Sequence, residues 1–195
     1  MRSMASAARK LATYDDVLRA PEHVVAEVID GDMHLQPRPA RRHARAFSRL
    51  GARLGRRFDE GDDGPGGWVL LNEPELHLGA QPHILVPDIA GWRRERMPVI
   101  EDGPFFDLAP DWVCEVLSSS TAAFDRGRKA DVYLEVGVKY LWIVDADTPQ
   151  IEAFEAVEGR WLRIGAYREA DARIVPFDAV PLDVPSLIEG VAPKR

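Results

Sequence analysis

The sequence predicts a protein of the α/β (α+β) class, and three observations carry that expectation. Trp112-Val113-Cys114-Glu115-Val116-Leu117 and Tyr140-Leu141-Trp142-Ile143-Val144 are short apolar runs of buried-strand length, with a helical pattern between them. His43, Phe47, Leu50, Leu54 and Phe58 recur at spacings of three and four, which places them on one face of a helix. Ile151 to Val157 and Trp161 to Tyr167 alternate about Glu158-Gly159, the pattern of a C-terminal hairpin.

Each element has a local cause. Thr13 with Asp15 and Asp16 caps a short helix that Pro21 closes. Val24 to Ile29 and Met33 to Leu35 flank Asp30-Gly31, a turn dipeptide suited to joining two strands. Trp68 to Leu78 and Ile84 to Trp92 read as two strands joined by Gly79-Ala80-Gln81-Pro82-His83. Within the second, Pro87 marks an edge strand or a bulge. After the Trp112 strand, Ser118-Ser119-Ser120-Thr121 offers N-cap candidates. A helix then starts near Ala122, carries Lys129 and ends at Gly137. Asp111 follows Pro110 and is read as a turn residue.

The length of 195 residues suits a single domain, residues 1–195, with a substantial core. No apolar run approaches the roughly 18 residues of a membrane span. The opening ten residues are basic without an apolar stretch, so a secretory signal is not expected and a cytoplasmic location is. The lone Cys114 excludes an internal disulfide and a cysteine zinc cluster, and is read as a small buried hydrophobe. A net charge of −7 argues against indiscriminate binding to polyanions. The charge is unevenly placed, however. Eight arginines and no acid lie between Arg38 and Arg57. Arg42, Arg45, Arg49 and Arg53 fall opposite the apolar face. They form either a solvated surface or a face that contacts phosphate, for which the planar guanidinium is suited.

Chemistry is expected where charge interrupts apolar runs. Glu115 lies inside a buried strand and needs a cation, a hydrogen-bond donor or a metal beside it. If the following helix packs back along that strand, Lys129 returns to the level of Glu115. Asp88 stands in an apolar context, and Glu27 lies within the first strand. Two carboxylates with a lysine suit phosphodiester hydrolysis assisted by a divalent ion. Each residue also has a plainer reading. Asp88 can accept backbone hydrogen bonds at a bulge, Glu115 can pair with a core cation, and Lys129 can sit on a solvated helix face with Asp125. Glu27 can face outward, and His43 can be a core-edge histidine.

The ordered set is more specific than its parts. Glu27-Val28-Ile29-Asp30-Gly31 is followed by His43 on a helix, Asn72-Glu73-Pro74-Glu75-Leu76 and Val86-Pro87-Asp88. Then come Glu115-Val116-Leu117-Ser118, Lys129 with Tyr133, and Gly137-Val138 before Tyr140-Leu141-Trp142. The series resembles the Uma-two family, a branch of the PD-(D/E)XK nuclease superfamily, over roughly Tyr14 to Phe154. The resemblance implies a restriction-endonuclease-like core with a mixed central sheet flanked by helices. It also implies cleavage of DNA with Mg²⁺ or Mn²⁺, with RNA as an alternative substrate and a homodimer as an alternative assembly. By that likeness Asp88 and Glu115 bind the metal, with the Val116 carbonyl as an extra ligand. Glu27 is the additional acid and His43 a supporting residue. The sequence departs from the pattern at Leu117, where the superfamily has lysine two residues after the acid. Lys129 is the candidate replacement and Lys139 the fallback. A non-catalytic nuclease-fold protein binding nucleic acid or a partner protein is the alternative reading that this departure favours.

Overall fold

The computed structural model describes residues 10–37, 39–81, 83–117 and 122–192. Arg38, Pro82 and the Ser118–Thr121 capping candidates lie outside them. In chain order the elements are α1 (Tyr14–Leu18), β1 (Val24–Ile29), β2 (Asp32–Pro37), α2 (Arg41–Leu54), β3 (Trp68–Asn72), β4 (Leu76–Leu78), β5 (His83–Leu85) and β6 (Ile89–Arg93). After them come β7 (Trp112–Leu117), α3 (Ala122–Arg126), α4 (Arg128–Glu135), β8 (Tyr140–Asp145), β9 (Gln150–Val157) and β10 (Arg160–Tyr167). A π-helical turn, Gly55–Asp59, extends α2, and a 3-10 turn, Pro185–Ile188, follows β10.

Six strands form a mixed sheet in the order β10-β9-β8-β7-β6-β3, parallel only between β7 and β8. This is the α+β architecture expected, with helices on its faces and β9–β10 as the C-terminal hairpin. A second sheet, β2-β1-β5-β4, is antiparallel throughout. Asp30 and Gly31 both take positive φ (54° and 75°) in the β1–β2 turn, as a tight hairpin turn requires.

The two long strands expected over Trp68–Leu78 and Ile84–Trp92 are each broken. Their inner halves, β3 and β6, pair in the large sheet, while the outer halves, β4 and β5, pair in the small one. The hairpin bends between Asn72 and Leu76 on one arm and between Leu85 and Ile89 on the other. Pro74 and Pro87 lie at these bends, where a missing N–H cannot join a ladder. Glu73 adopts φ 48° there and donates its N–H to the Asp88 carbonyl at 2.9 Å. Asp88 therefore sits at the corner where the ribbon passes from one sheet to the other.

Alternation along β7 divides its side chains. Trp112, Cys114 and Val116 join a core with α2 (Ala46, Leu50, Leu54), while Val113 joins one with α4 (Ala130, Val132, Tyr133). The expected single helix from Ala122 is two, broken at Gly127, whose ψ of −120° is not helical. Gly137 closes α4 with φ 88°.

The chain beyond β10 also belongs to the core. Ala172, Ile174, Phe177, Leu182, Val184 and Leu187 are buried against α2 and the large sheet. The Phe177 ring lies 4.7 to 5.5 Å, centroid to centroid, from Phe58, Trp68, Trp112 and Trp142. On β6, between β7 and the edge strand β3, Gly91 leaves room for that aromatic layer. A Cβ there would stand 2.7 Å from Leu70 Cδ2 and 3.2 and 3.3 Å from ring carbons of Trp112 and Trp68. Gly91→Ala is expected to lower stability by about 1–3 kcal/mol through overpacking. Urea unfolding checks this, and an unchanged midpoint contradicts it.

Candidate active site

A cavity of about 540 Å³ opens where the two sheets meet the N-terminal end of α2. Glu27, His43, Asp88, Glu115, Val116 and Lys129 all border it, so residues separated by up to about a hundred positions converge on one space. Their convergence follows from the topology. Glu27 rides on β1, Glu115 on β7, Lys129 on α4 and His43 on α2, while Asp88 stands at the hairpin corner.

The centre is a buried ion cluster. Lys129 Nζ lies 2.9 Å from Glu27 Oε1 and 2.9 Å from Glu115 Oε1, and donates to the Val86 carbonyl at 3.2 Å. Three oxygens thus match the three hydrogens of one ammonium. Tyr133 donates its hydroxyl to Glu115 Oε1 at 2.6 Å, and Gln36 donates its amide to Glu27 Oε2 at 2.6 Å. The Val86 N–H adds a bond to Glu27 Oε1 at 2.8 Å. Since the strand breaks at Val86, both its backbone groups serve this cluster.

Asp88 is held separately. It accepts the Val116 N–H at 2.7 Å, and His43 Nε2 lies 3.1 and 3.2 Å from its two oxygens. A carboxylate only accepts, so in this contact His43 Nε2 is the donor. Nδ1 is buried and, among the described residues, has no hydrogen-bond partner.

Burial and charge set the protonation states. Burial works against the Lys129 ammonium, but the carboxylates of Glu115 and Glu27 outweigh it and hold its pKa above the ordinary lysine value. Lys129 is therefore a fixed positive charge and not a proton acceptor. Burial pushes the Glu115 carboxyl well above the usual range. Lys129 opposes that shift, and the charges of Asp125, Asp88 and Glu27 add to it. Burial, followed by the Glu115 carboxylate, keeps the Tyr133 phenol protonated well beyond its ordinary range.

Other sequence candidates fall elsewhere. Lys139 is exposed beside the Tyr140 ring and does not border the cavity. Asp111 accepts the Arg93 N–H at 2.8 Å and pairs with Arg96, consistent with a turn role. The arginine face of α2 is covered by the chain that follows β10. Arg42 donates to the Ala146 and Ala192 carbonyls, Arg45 to Glu189, Arg53 to Asp183 and Ser186, and Arg57 to Pro181. Arg49 bonds the Ser186 carbonyl and the Glu189 carboxylate. The solvated surface or phosphate-contacting face expected of these arginines is thus partly occupied by backbone carbonyls of the protein itself, while Arg45 stays exposed. Those carbonyls come from over a hundred residues away, and no local pattern signals them.

Two cavity residues escaped the sequence reading. Gln36 lies in a short strand whose pattern gives it no distinction. Asp125, read only as an exposed helix partner, is buried beside the cavity, and its charge acts on both Glu115 and Lys129. Its signal was the spacing of four residues to Lys129.

Among the described residues, no helix is long and apolar enough to cross a membrane, and no three His, Cys, Asp or Glu side chains are gathered as a ready metal cage. The oxygen donors bordering the cavity are chiefly carboxylates, Glu27, Asp88 and Glu115 among them. That class fits Mg²⁺ or Mn²⁺, which are held by one or two carboxylates with water and substrate phosphate completing the sphere.

Comparison with solved structures finds a crystal structure from Anabaena variabilis described as a "putative nuclease". Its TM-score is 0.72 at 23% identity, and the match covers 90% of this chain and 97% of that one. At that identity the likeness is one of fold. Comparison with curated proteins finds no match. The model of the Uma2 family, described as "Putative restriction endonuclease", matches residues 11–184. With most of its length so matched, the chain belongs to the Uma2 family.

Proposed function

We propose that this protein is an endonuclease that hydrolyses DNA phosphodiester bonds with Mg²⁺ or Mn²⁺. Family membership supports nuclease chemistry in general, and the neighbour's fold agrees with it. The observation that carries the reading is Lys129 Nζ at 2.9 Å from Glu115. Although Leu117 stands where lysine is usual, an amine still reaches the strand acid, delivered from the helix that covers that face of the sheet.

Asp88 and Glu115 would hold the metal, which supplies Lewis acidity and a bound water of lowered pKa when present. The chain's own residues have distinct tasks. Lys129 stays cationic and fixes Glu27 and Glu115 in register. Tyr133 and Gln36 orient those carboxylates by donating to them, and the Val116 N–H with His43 fixes Asp88. Glu27, Glu115 and Lys129 are themselves almost fully buried, which strengthens the interactions among them.

The test is cleavage of plasmid DNA and of RNA with Mg²⁺ or Mn²⁺, comparing wild type with Glu115→Gln. The variant is expected to fall to about one-hundredth of wild-type cleavage or less. It should also melt no lower at neutral pH. Because burial raises the folded-state pKa of Glu115, wild-type stability falls as pH rises through that value, and the neutral isostere lacks that fall. Equal cleavage by the two proteins contradicts the assignment. Wild-type cleavage of RNA alone moves the substrate class. The rival reading, a non-catalytic nuclease-fold protein, is favoured by Leu117, and it is the outcome if neither substrate is cut.

A further inference from the structure

The arginine-rich helix and the cavity touch at one end of α2, and most of the charge there is already committed. Among the described residues, six carboxylates and three permanent cations, Arg41, Arg42 and Lys129, border the cavity. Lys129 is held by Glu27, Glu115 and the Val86 carbonyl, and Arg42 by two backbone carbonyls. Arg56 pairs with Asp63, and the guanidiniums of Arg45, Arg49, Arg53 and Arg57 are on the segment after β10. Arg41 is different. It is exposed, it borders the cavity, and among the described residues it has no hydrogen bond or ion pair.

Its surroundings also favour an anion. α2 begins at Arg41 with Ala40 as N-cap, no side-chain cap and no acid in the first turn, so its first N–H groups are unopposed by carboxylate. One turn in, His43 is 7% exposed and borders the same cavity, with Nδ1 lacking a partner among the described residues.

We propose that Arg41, at the mouth of the cavity, binds a backbone phosphate of the nucleic acid strand, next to the one held over the acid cluster. The assignment rests on the nuclease reading. A phosphate approaching a wall where acids outnumber cations depends on a cation not already neutralised, and among the described residues bordering the cavity that cation is Arg41. Its planar fork suits two phosphate oxygens. The rest of the arginine helix serves to fasten the chain after β10.

The test is fluorescence anisotropy of a short labelled single-stranded oligonucleotide, DNA and RNA in separate arms, in EDTA across a salt series. Arg41→Ala is expected to weaken binding roughly 10-fold at low salt and to flatten the salt slope by about 0.7. Arg41→Lys should keep the slope because it keeps the charge. Arg163→Ala, on β10, is the control and should match wild type. A wild-type Kd and slope in Arg41→Ala overturn the proposal, as does wild-type protein that binds neither strand. Mg²⁺-dependent cleavage by wild type, measured in parallel, reports on the nuclease reading alone. Cleavage with an unmoved slope sinks only the Arg41 subsite.

Discussion

Lys129→Met is expected to lose about 3–5 kcal/mol of stability at neutral pH, because it leaves two buried carboxylates without their cation. Glu27 and Glu115 are 1% and 3% exposed, and each lies 2.9 Å from Nζ. Without the ammonium, burial and the neighbouring acids favour the neutral form of Glu115. A carboxyl whose folded-state pKa is raised contributes stability that is full below its unfolded value, near 4.3, and is lost as pH rises through the folded value. The variant should therefore be closest to wild type near pH 4–5 and fall away toward pH 8. Denaturant unfolding at both ends of that window checks it. Equal stability of the two proteins at pH 8 would show that the carboxylates have other compensation. The triple variant with Glu27→Gln and Glu115→Gln should recover most of the loss, since the charges that needed the lysine are gone.

Phe177→Ala should cost a similar amount, about 3–5 kcal/mol, for an unrelated reason. Its ring is the meeting point of three tryptophans and Phe58, and Trp142 Nε1 donates to the Val175 carbonyl two residues away at 2.8 Å. Removing the ring opens a cavity among rigid aromatic groups that collapse poorly. The melting temperature should drop by roughly 10 °C. Proteolysis should then cut first in the segment after β10, exposing the guanidiniums it covers. A melting temperature equal to wild type would mean that the aromatic layer closes over the gap.

How much of this was legible in the sequence depends on the range of the cause. The Asp30-Gly31 turn, the buried run around Glu115, the Gly137 helix end and the C-terminal hairpin are short-range, and the chain spells them out. The acids and Lys129 stood out because each is a charge in an apolar frame, and α4 does carry the amine back to the strand acid. The bent hairpin was half visible. Pro87 marked a disturbance, but only the matching Pro74 on the other arm makes it a corner between sheets. The break at Gly127 left no signal beyond the glycine itself. Phe177 and the carbonyls facing the arginines were not readable, because their partners lie in distant parts of the chain. An amphipathic helix looks the same from its sequence whether water or another segment covers its polar side.

The corner that carries Asp88 has a consequence for how the centre tolerates change. Glu27 belongs to one slab of strands and Glu115 to the other, and the folded ribbon between them is the joint that sets their separation. Lengthening either slab at its outer rim leaves the spacing of the acids as it was. One extra residue between Leu85 and Ile89 would swing Asp88 to the opposite side of its ribbon, away from the Val116 amide.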